Sequence, residues 1–299
     1  MKTKSFAVGA LYTLGSAAFL ALTGLLGKLG IEQLSLTALI FWRYLSALFF
    51  CIVLLWVARK LHGWISHFQH IKMHLLRTFF VLVAQYSFYF YLQKNSLMNA
   101  TLLINTGPLF IPFIEWGLMG TKIGRSTWIS LLISFVGVVL VLQPDRDIFT
   151  LMSFIGLLSG LAQGASQVVF GLNSQTERSD LGVFYLFILT PLFTFPFYLI
   201  EGSTWIDTPA SWNWTILLVA ALGISSVCNQ LLRAEAYEHS SPSRLSVFLY
   251  FSIVVAGFLD WIFFNYLPNF LSIIGAALVI IGGVLKIYLR HQILKKNPP

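Results

Sequence analysis

The sequence predicts an all-α membrane protein of ten transmembrane helices, built from two inverted five-helix repeats. Three observations lead to this prediction: a composition poor in charge, ten apolar segments of membrane-spanning length, and an internal match between the two halves of the chain. Hydrophobic residues make up 57% and charged residues 10% of the sequence, and the mean hydropathy is +0.80. Soluble domains carry about 25% charged residues, so water is not the main solvent of this protein's surface.

Ten apolar segments are long enough to cross the hydrocarbon core as helices. They cover residues 6–29, 36–57, 75–94, 98–119, 126–143, 149–173, 181–201, 214–236, 242–264 and 269–289. Turn-forming residues separate them, for example around Pro144 and Pro268. Backbone groups in lipid must satisfy their own hydrogen bonds, and the segments lack the alternation of barrel strands, so each is predicted to be a helix.

The basic residues are distributed unevenly between the predicted loops, and this distribution predicts the orientation of the chain. With the N-terminus in the cytoplasm, fourteen Lys and Arg residues lie in inner loops and tails, and three lie outside. The inner residues are Lys2, Lys4, Arg59, Lys60, Lys72, Arg77, Lys122, Arg125, Arg178, Arg244, Lys286, Arg290, Lys295 and Lys296, and the outer ones are Lys28, Lys94 and Arg146. This excess of inner positive charge predicts that both termini are cytoplasmic.

The two halves of the chain match at a constant offset of 145 residues. Gln85 corresponds to Gln230, Glu115-Trp116 to Asp260-Trp261, and Gly137 to Gly282. We therefore predict a first repeat at 1–145 and a second at 146–299. Five helices are an odd number, so the second repeat enters the membrane in the opposite direction, as is typical of secondary transporters. Duplication in a protein that transports nothing is the alternative.

Polar residues on the fourth and ninth predicted helices recur at helical spacing and define one face of each helix. These faces comprise Thr101, Asn105, Pro108, Pro112 and Glu115 on the fourth helix and Ser246, Tyr250, Ile253, Gly257 and Asp260 on the ninth. Polar groups within a membrane are costly, so we expect these faces to line a cavity between the repeats. For the two prolines, a purely structural kink is the alternative.

Polar side chains on the other inner helices complete the predicted solute site. The candidate solute-binding residues are Ser16, Thr23, Gln85, Tyr89, Asn105, Pro108, Gln163, Gln167, Gln230 and Tyr250. Gln and aromatic side chains together suit a solute with polar and apolar parts. The alternative for the glutamines is hydrogen bonding between helices.

Three charged residues within the predicted spans are candidates for coupling or gating. Glu115 lies toward the cytoplasmic end of its helix and Asp260 toward the outer end of the equivalent helix. Each acid could bind a proton or cation when the cavity faces its side; interfacial placement beside a Trp is the alternative. Arg233, near the cytoplasmic end of the eighth helix, is a candidate for an ion-pair gate together with Glu235.

Four histidines, His62, His67, His70 and His74, follow the second predicted helix, and three of them have helical spacing. They could bind a transition metal. The accompanying aromatic and basic residues favour a helix lying on the membrane surface instead. Cys51 and Cys228 have no metal-type spacing, and we predict neither a metal nor a cofactor.

Several stretches of the sequence resemble the EamA type of the drug/metabolite transporter superfamily. The similar stretches are Phe41-Trp42-Arg43-Tyr44, Leu102 to Leu142 with Pro108 and Gly137, and Ser272 to Lys286. The family usually has Gly-Glu after its fourth and ninth helices, whereas this chain has Gly120-Thr121 and Phe264-Asn265. The resemblance implies a ten-helix carrier of metabolites, often an exporter of amino acids or a carrier of nucleotide-like solutes. It also implies a bacterial inner membrane.

These observations together predict a secondary transporter of a small amphipathic solute, such as an amino acid or nucleoside-like metabolite. We expect a monomer in contact with lipid, possible coupling to protons, and no nucleic-acid partner. An enzyme is not expected, because the sequence contains no metalloprotease, nucleophile or phosphate-loop motif. A membrane scaffold or receptor, or a carrier of organic cations and drugs, remains the alternative.

Overall fold

The computed structural model describes residues 5–57, 71–92, 94, 97–120, 123–144, 151–201, 212–265 and 268–296. These residues form twelve helices and contain no strand, which confirms the all-α prediction. The helices are α1 (Phe6–Ile31), α2 (Leu36–Val57), α3 (Ile71–Leu92), α4 (Leu97–Ile104), α5 (Gly107–Met119), α6 (Arg125–Leu142), α7 (Ser153–Thr176), α8 (Ser179–Glu201), α9 (Trp212–His239), α10 (Pro242–Leu249), α11 (Phe251–Phe264) and α12 (Phe270–Lys296).

Within the described ranges, nine helical segments are long and apolar enough to cross a membrane. They coincide with nine of the ten predicted spans, and α3, with 22 residues, occupies the position of the remaining one. Helix α3 begins at Ile71, earlier than the predicted start at residue 75. Large apolar side chains such as Trp56, Leu192 and Phe270 are more than half exposed on the outside of the bundle, as contact with lipid requires.

Two of the membrane crossings consist of two shorter helices each. Helices α4 and α5 meet at Asn105 and Thr106, and helices α10 and α11 meet at Tyr250. Each pair was predicted as one continuous helix. Pro108 accounts for the first interruption, because proline cannot donate the backbone hydrogen bond that would continue α4 and is favoured in the first turn of a helix. Asn105 and Tyr250 are 145 residues apart, so the two breaks occupy equivalent positions in the two repeats.

The helices pack in pairs that follow the inverted repeat. Helix α1 packs along α9, and its counterpart α7 packs along α3; α2 packs against α8, and α6 against α12. The crossing of α6 and α12 is close, since a Cβ atom on Gly137 would lie 2.5 Å from the Gly275 carbonyl oxygen. A Cβ atom on Gly275 would lie equally close to the Gly137 carbonyl oxygen. The backbones of α6 and α12 are therefore in direct contact at these two glycines.

The two ends of the bundle can be distinguished by their contacts. We call the end where α1 begins and α9 ends the proximal end, and the opposite end the distal end. At the proximal end, Ser5 N donates to His239 Nδ1 at 3.4 Å, and the His74 ring contacts Glu177 at 2.8 Å. The other three histidines of the predicted surface helix and the predicted repeat boundary at residue 145 lie outside the described residues.

Candidate solute site and gates

Two arginine side chains are buried between the helices near the proximal end. Arg77 lies on α3 and Arg233 on α9, and each is 2% exposed. Arg77 lies six residues after the start of α3, and Arg233 lies six residues before the end of α9. At 1.5 Å per residue, both arginines are about 9 Å inside the proximal end of their helices. The structure thus places two guanidinium groups at the same depth within the bundle.

The Arg77 guanidinium contacts neutral groups on three neighbouring helices. Its Nη1 donates to the Gly182 carbonyl oxygen at 2.8 Å, and its Nη2 donates to Gln230 Oε1 at 2.9 Å. The guanidinium carbon also lies 3.4 Å from the centre of the Phe170 ring, in a cation–π contact. Arg77 therefore ties α3 to α7, α8 and α9 without an acidic partner among the described residues.

Arg233 makes fewer hydrogen bonds. Its Nε donates to Ser16 Oγ on α1 at 3.1 Å, while its buried Nη2 has no hydrogen-bond partner among the described residues. One turn toward the proximal end, the Tyr237 hydroxyl donates to Gln167 Oε1 on α7 at 2.9 Å. The predicted residues Gln167 and Gln230 are thus held near the two arginines. The first is buried and the second is partly exposed.

Glu115 joins α5 to α10 near the proximal end. It is 4% exposed, and its Oε2 accepts a hydrogen bond from the Ser243 backbone N–H at 2.8 Å. Ser243 lies in the first turn of α10, where unsatisfied N–H groups and the helix dipole favour a negative charge. Glu115 therefore links the last part of α5 to the start of α10.

Asp260, the repeat equivalent of Glu115, has a different environment. It lies at the distal end, where its Oδ1 is 3.4 Å from Lys28 Nζ, and both side chains are 45% exposed. Lys28 Nζ also lies 4.0 Å from the centre of the Phe264 ring. One of the two equivalent acids is thus buried at a helix N-terminus, and the other is half-exposed in an ion pair.

The residues at the two helix breaks also differ. Asn105 is partly exposed, and its Nδ2 donates to the Thr101 carbonyl oxygen of its own helix at 2.8 Å. Tyr250 is fully buried, and its hydroxyl has no hydrogen-bond partner within the described parts of the chain. Pro108, also buried, occupies the first turn of α5. Broken helices of this kind expose backbone groups at the centre of a membrane protein.

The remaining predicted solute-binding residues occupy several positions. Ser16 and Thr23 are buried between α1 and α9, where Ser16 Oγ accepts from Arg233 and Thr23 Oγ1 lies 2.7 Å from Ser225 Oγ. Gln163 is partly exposed beside the α4–α5 break. Gln85 is partly exposed on α3, and the side chain of Tyr89, on the same helix, lies outside the described residues. Helix α1 therefore contributes mainly to an interface between helices.

Sequence reasoning missed Arg77, Tyr237 and the Ser243 N–H group. Arg77 was counted as a loop residue, although its position inside an apolar segment could have identified it as a buried charge. The Ser243 N–H group becomes visible only when α5 and α10 are brought together. The described residues contain no group of His, Cys, Asp or Glu that could hold a metal ion.

A bundle of membrane-spanning helices with equivalent breaks and buried polar groups is an architecture typical of membrane transport proteins. The model of the EamA-like transporter family matches two stretches of the chain, residues 7–143 and 150–288. The chain therefore belongs to the EamA-like transporter family, which confirms the resemblance seen in the sequence. Members of this family are transporters and not enzymes, so the family match confirms the prediction that the chain is not an enzyme.

Curated relatives are named as transporters of several small solutes. The pseudopaline exporter CntI of Pseudomonas aeruginosa is 25% identical over 218 residues, which cover 72% of this chain and 75% of the exporter. A riboflavin transporter of Vibrio cholerae is 24% identical, with 72% and 70% of the two chains covered. An S-adenosylmethionine uptake transporter of Rickettsia bellii is 20% identical, with 75% of each chain covered. The relatives' names thus cover chemically different small molecules and both directions of transport.

The fold has also been solved experimentally in another protein. One crystal structure superimposes with a TM-score of 0.77, covers 98% of this chain and 99% of the other, and is 16% identical in sequence. At this identity the likeness supports the fold alone. It confirms the helical architecture over nearly the whole length of the chain.

Proposed function

We propose that this chain is a secondary transporter that moves a small amphipathic organic solute across the membrane by alternating access. The observation that supports this best is the difference between Glu115 and Asp260. Two equivalent acids in inverted repeats occupy a buried and a half-exposed environment, so the two ends of the bundle are in different states. Alternating access requires such a difference, which is exchanged between the ends during transport.

The solute is a metabolite similar to an amino acid or a nucleoside. Asn105 and Gln163 are partly exposed polar side chains near the first break, and the aromatic Tyr250 lies at the second; this mixture suits a solute with polar and apolar parts. The relatives' named solutes support a small organic molecule. An organic cation is disfavoured, because two buried arginines would repel it.

We further propose that transport is coupled to protons through Glu115 and Asp260. Each acid lies near one end of the bundle, so each could exchange protons when its own side opens. The protein acts as a monomer in a bacterial inner membrane, surrounded by lipid. Both termini are cytoplasmic, so the proximal end faces the cytoplasm and the distal end faces outward.

Uptake by proteoliposomes tests this function. Purified protein is reconstituted and supplied with pooled radiolabelled amino acids and nucleosides, with and without a pH gradient. We expect saturable uptake that unlabelled solute competes away and that a pH gradient accelerates. Protein-free liposomes are the control. The absence of uptake under every gradient, from protein shown to be folded, would favour a scaffold or receptor.

Proton coupling has its own test in the same vesicles. Glu115→Gln keeps an oxygen that can accept the Ser243 N–H but cannot exchange a proton. We expect this variant to lose the acceleration by a pH gradient while still binding solute. If Glu115→Gln retained the full pH dependence, Glu115 would not take part in proton coupling. The proposal that the protein transports a solute would still stand.

A further inference from the structure

The two buried arginines lack acidic partners. Neither Arg77 nor Arg233 lies within ion-pair distance of a carboxylate in the described part of the chain. Both are 2% exposed and lie inside the helix bundle. Charged groups taken out of water are costly unless paired, and intramembrane arginines normally pair with an acid or with carbonyl groups. Two buried guanidinium groups at the same depth would therefore be stabilised by a nearby negative charge.

The hydrogen bonds of the arginines show where that charge could bind. Arg77 uses Nη1 and Nη2 on two neutral acceptors, the Gly182 carbonyl and the Gln230 side chain. Arg233 uses Nε on Ser16 Oγ and leaves Nη2 buried without a partner among the described residues. An unpaired buried donor costs free energy that a negatively charged acceptor would recover. The open position is therefore at Arg233 Nη2.

The surrounding charges favour an anion with a single charge. The Tyr237 hydroxyl lies within electrostatic range of Arg77, Arg233 and Glu115, so these groups share one region of the bundle. Glu115 already accepts the Ser243 N–H at the start of α10. With Glu115 ionised, the three charged groups sum to a net charge of +1, which one carboxylate would neutralise.

We propose that Arg233, assisted by Arg77, binds a carboxylate group of the transported solute. This inference rests on the proposed transport function and narrows its solute to a carboxylate-bearing molecule. Gln230, which lies one turn from Arg233 and is partly exposed, accepts a hydrogen bond from one branch of the Arg77 guanidinium. The arriving carboxylate binds Arg233 Nη2 and replaces Gln230 as the acceptor for Arg77.

Acetate is a suitable probe, because it carries the recognised group and no other part of an unknown solute. The measurement is the midpoint of thermal unfolding of detergent-purified protein, with sodium chloride at the same ionic strength as the reference. A ligand that binds only the folded state raises this midpoint, and we expect a rise of about 2 °C with acetate at several times its Kd. Acetamide, which has the same shape without the charge, should cause no rise.

Three variants assign the effect to the site. Arg233→Gln should weaken acetate binding about tenfold or more, since a hydrogen bond between charged groups is lost. Arg233→Lys keeps the positive charge but lacks the planar pair of N–H donors, and should bind acetate more tightly than Arg233→Gln does but less tightly than the unmodified protein. Arg43→Gln is the matched control, because Arg43 is also an arginine of a membrane-spanning helix but donates to Ser226 Oγ and shares no hydrogen-bond partner with Arg77 or Arg233. It should bind acetate as the unmodified protein does.

The outcomes separate this inference from the proposed function. Equal stabilisation by acetate and acetamide, no stabilisation by acetate, or full binding by folded Arg233→Gln would overturn the carboxylate site. If Arg233→Gln does not fold, the comparison of acetate with acetamide and the Arg233→Lys variant decide. Saturable uptake of neutral solutes alone would refute the carboxylate site and leave the transporter proposal intact. Acetate binding at Arg233 without uptake of any solute would support the carboxylate site and count against the transporter proposal.

Discussion

Ser134 on α6 donates a hydrogen bond from its hydroxyl to the Val279 carbonyl oxygen on α12, at 3.4 Å. The two residues are 145 positions apart, which is the offset between the repeats. A residue bonded to its own repeat equivalent lies next to the axis that relates the two halves. The α6–α12 crossing, with Gly137 and Gly275 on one side and Ser130 and Gly282 on the other, therefore contains the local two-fold axis.

The first prediction concerns this crossing. Gly137→Ala should lower the unfolding midpoint, because the new Cβ would lie 2.5 Å from the Gly275 carbonyl oxygen. Overpacking of this kind costs about 1–3 kcal/mol, more than the helix propensity gained. Gly117→Ala on α5 is the control, since its Cβ would have no neighbour within 4 Å. Equal unfolding midpoints for Gly137→Ala and Gly117→Ala would show that α6 and α12 can move apart to accommodate the added methyl group, and would contradict the prediction.

The second prediction concerns the contact between Glu115 and Ser243, which we propose keeps the proximal end closed. Glu115→Gln removes a negative charge from the start of α10, which should destabilise the closed state by about 1 kcal/mol. We expect the labelling rate of Ser246→Cys, a fully buried position on α10, to rise about fivefold, measured with an impermeant maleimide after replacement of Cys51 and Cys228.

Glu201→Gln, at the distal end of α8, is the control for this experiment. Glu201 is exposed and remote from α10, so its neutralisation should leave the labelling rate unchanged. A labelling rate of Ser246→Cys that is the same with Glu115 and with Gln at that position would show that the carboxylate does not hold the gate closed.

The third prediction separates the ion pair at the distal end from the function of its acid. Asp260→Asn and Lys28→Met both remove the exposed pair, and each should change stability by less than about 1 kcal/mol. In the proposed alternating access, repeat symmetry would bring the start of α4 to Asp260 in the opposite state, as Ser243 lies beside Glu115 here. Asp260→Asn should therefore reduce the uptake rate severalfold, while Lys28→Met should not. An equal loss in both variants would contradict this role.

The fourth prediction concerns the helix break at Asn105. Gly160 on α7 packs against this break, and a Cβ atom there would lie 2.5 Å from the Leu103 carbonyl oxygen. Gly160→Ala should lower both the unfolding midpoint and the uptake rate, since backbone atoms at the break must move. Gly27→Ala on α1 is the control, because nothing lies within 4 Å of its Cβ position. Unchanged uptake by Gly160→Ala would indicate that the break does not contribute to transport.

The fold could be predicted from sequence because lipid imposes strong requirements on composition. A helix must be apolar over about 20 residues, and this pattern is visible without knowledge of any contact. The break at Tyr250 could not be predicted in the same way, since no proline follows it as Pro108 follows Asn105. Its position depends on packing against other helices.

The candidate site was predicted less completely, because its hydrogen bonds join distant segments. Spacing on one helix indicated Gln230 and Arg233, and the structure places them together. The residue spacing gave no sign that Ser16 accepts a hydrogen bond from Arg233, because the two residues are 217 positions apart in the chain. Arg77 was counted among the inner basic residues although it lies inside the predicted span 75–94. Counting it only as evidence for the orientation of the chain left its burial unnoticed.

The unequal breaks have a consequence for how a solute travels. Asn105 presents a small amide group, whereas Tyr250 presents a ring and a buried hydroxyl at the matching place in the other repeat. The backbone is nearly symmetric at this level, but the side chains at the two breaks differ in size and polarity. In the transport mechanism proposed above, we expect a molecule with one charged end and one apolar end to keep the same end leading as it passes the two breaks. A duplicated scaffold whose side chains have diverged would thus give the proposed pathway a direction that the backbone alone does not have.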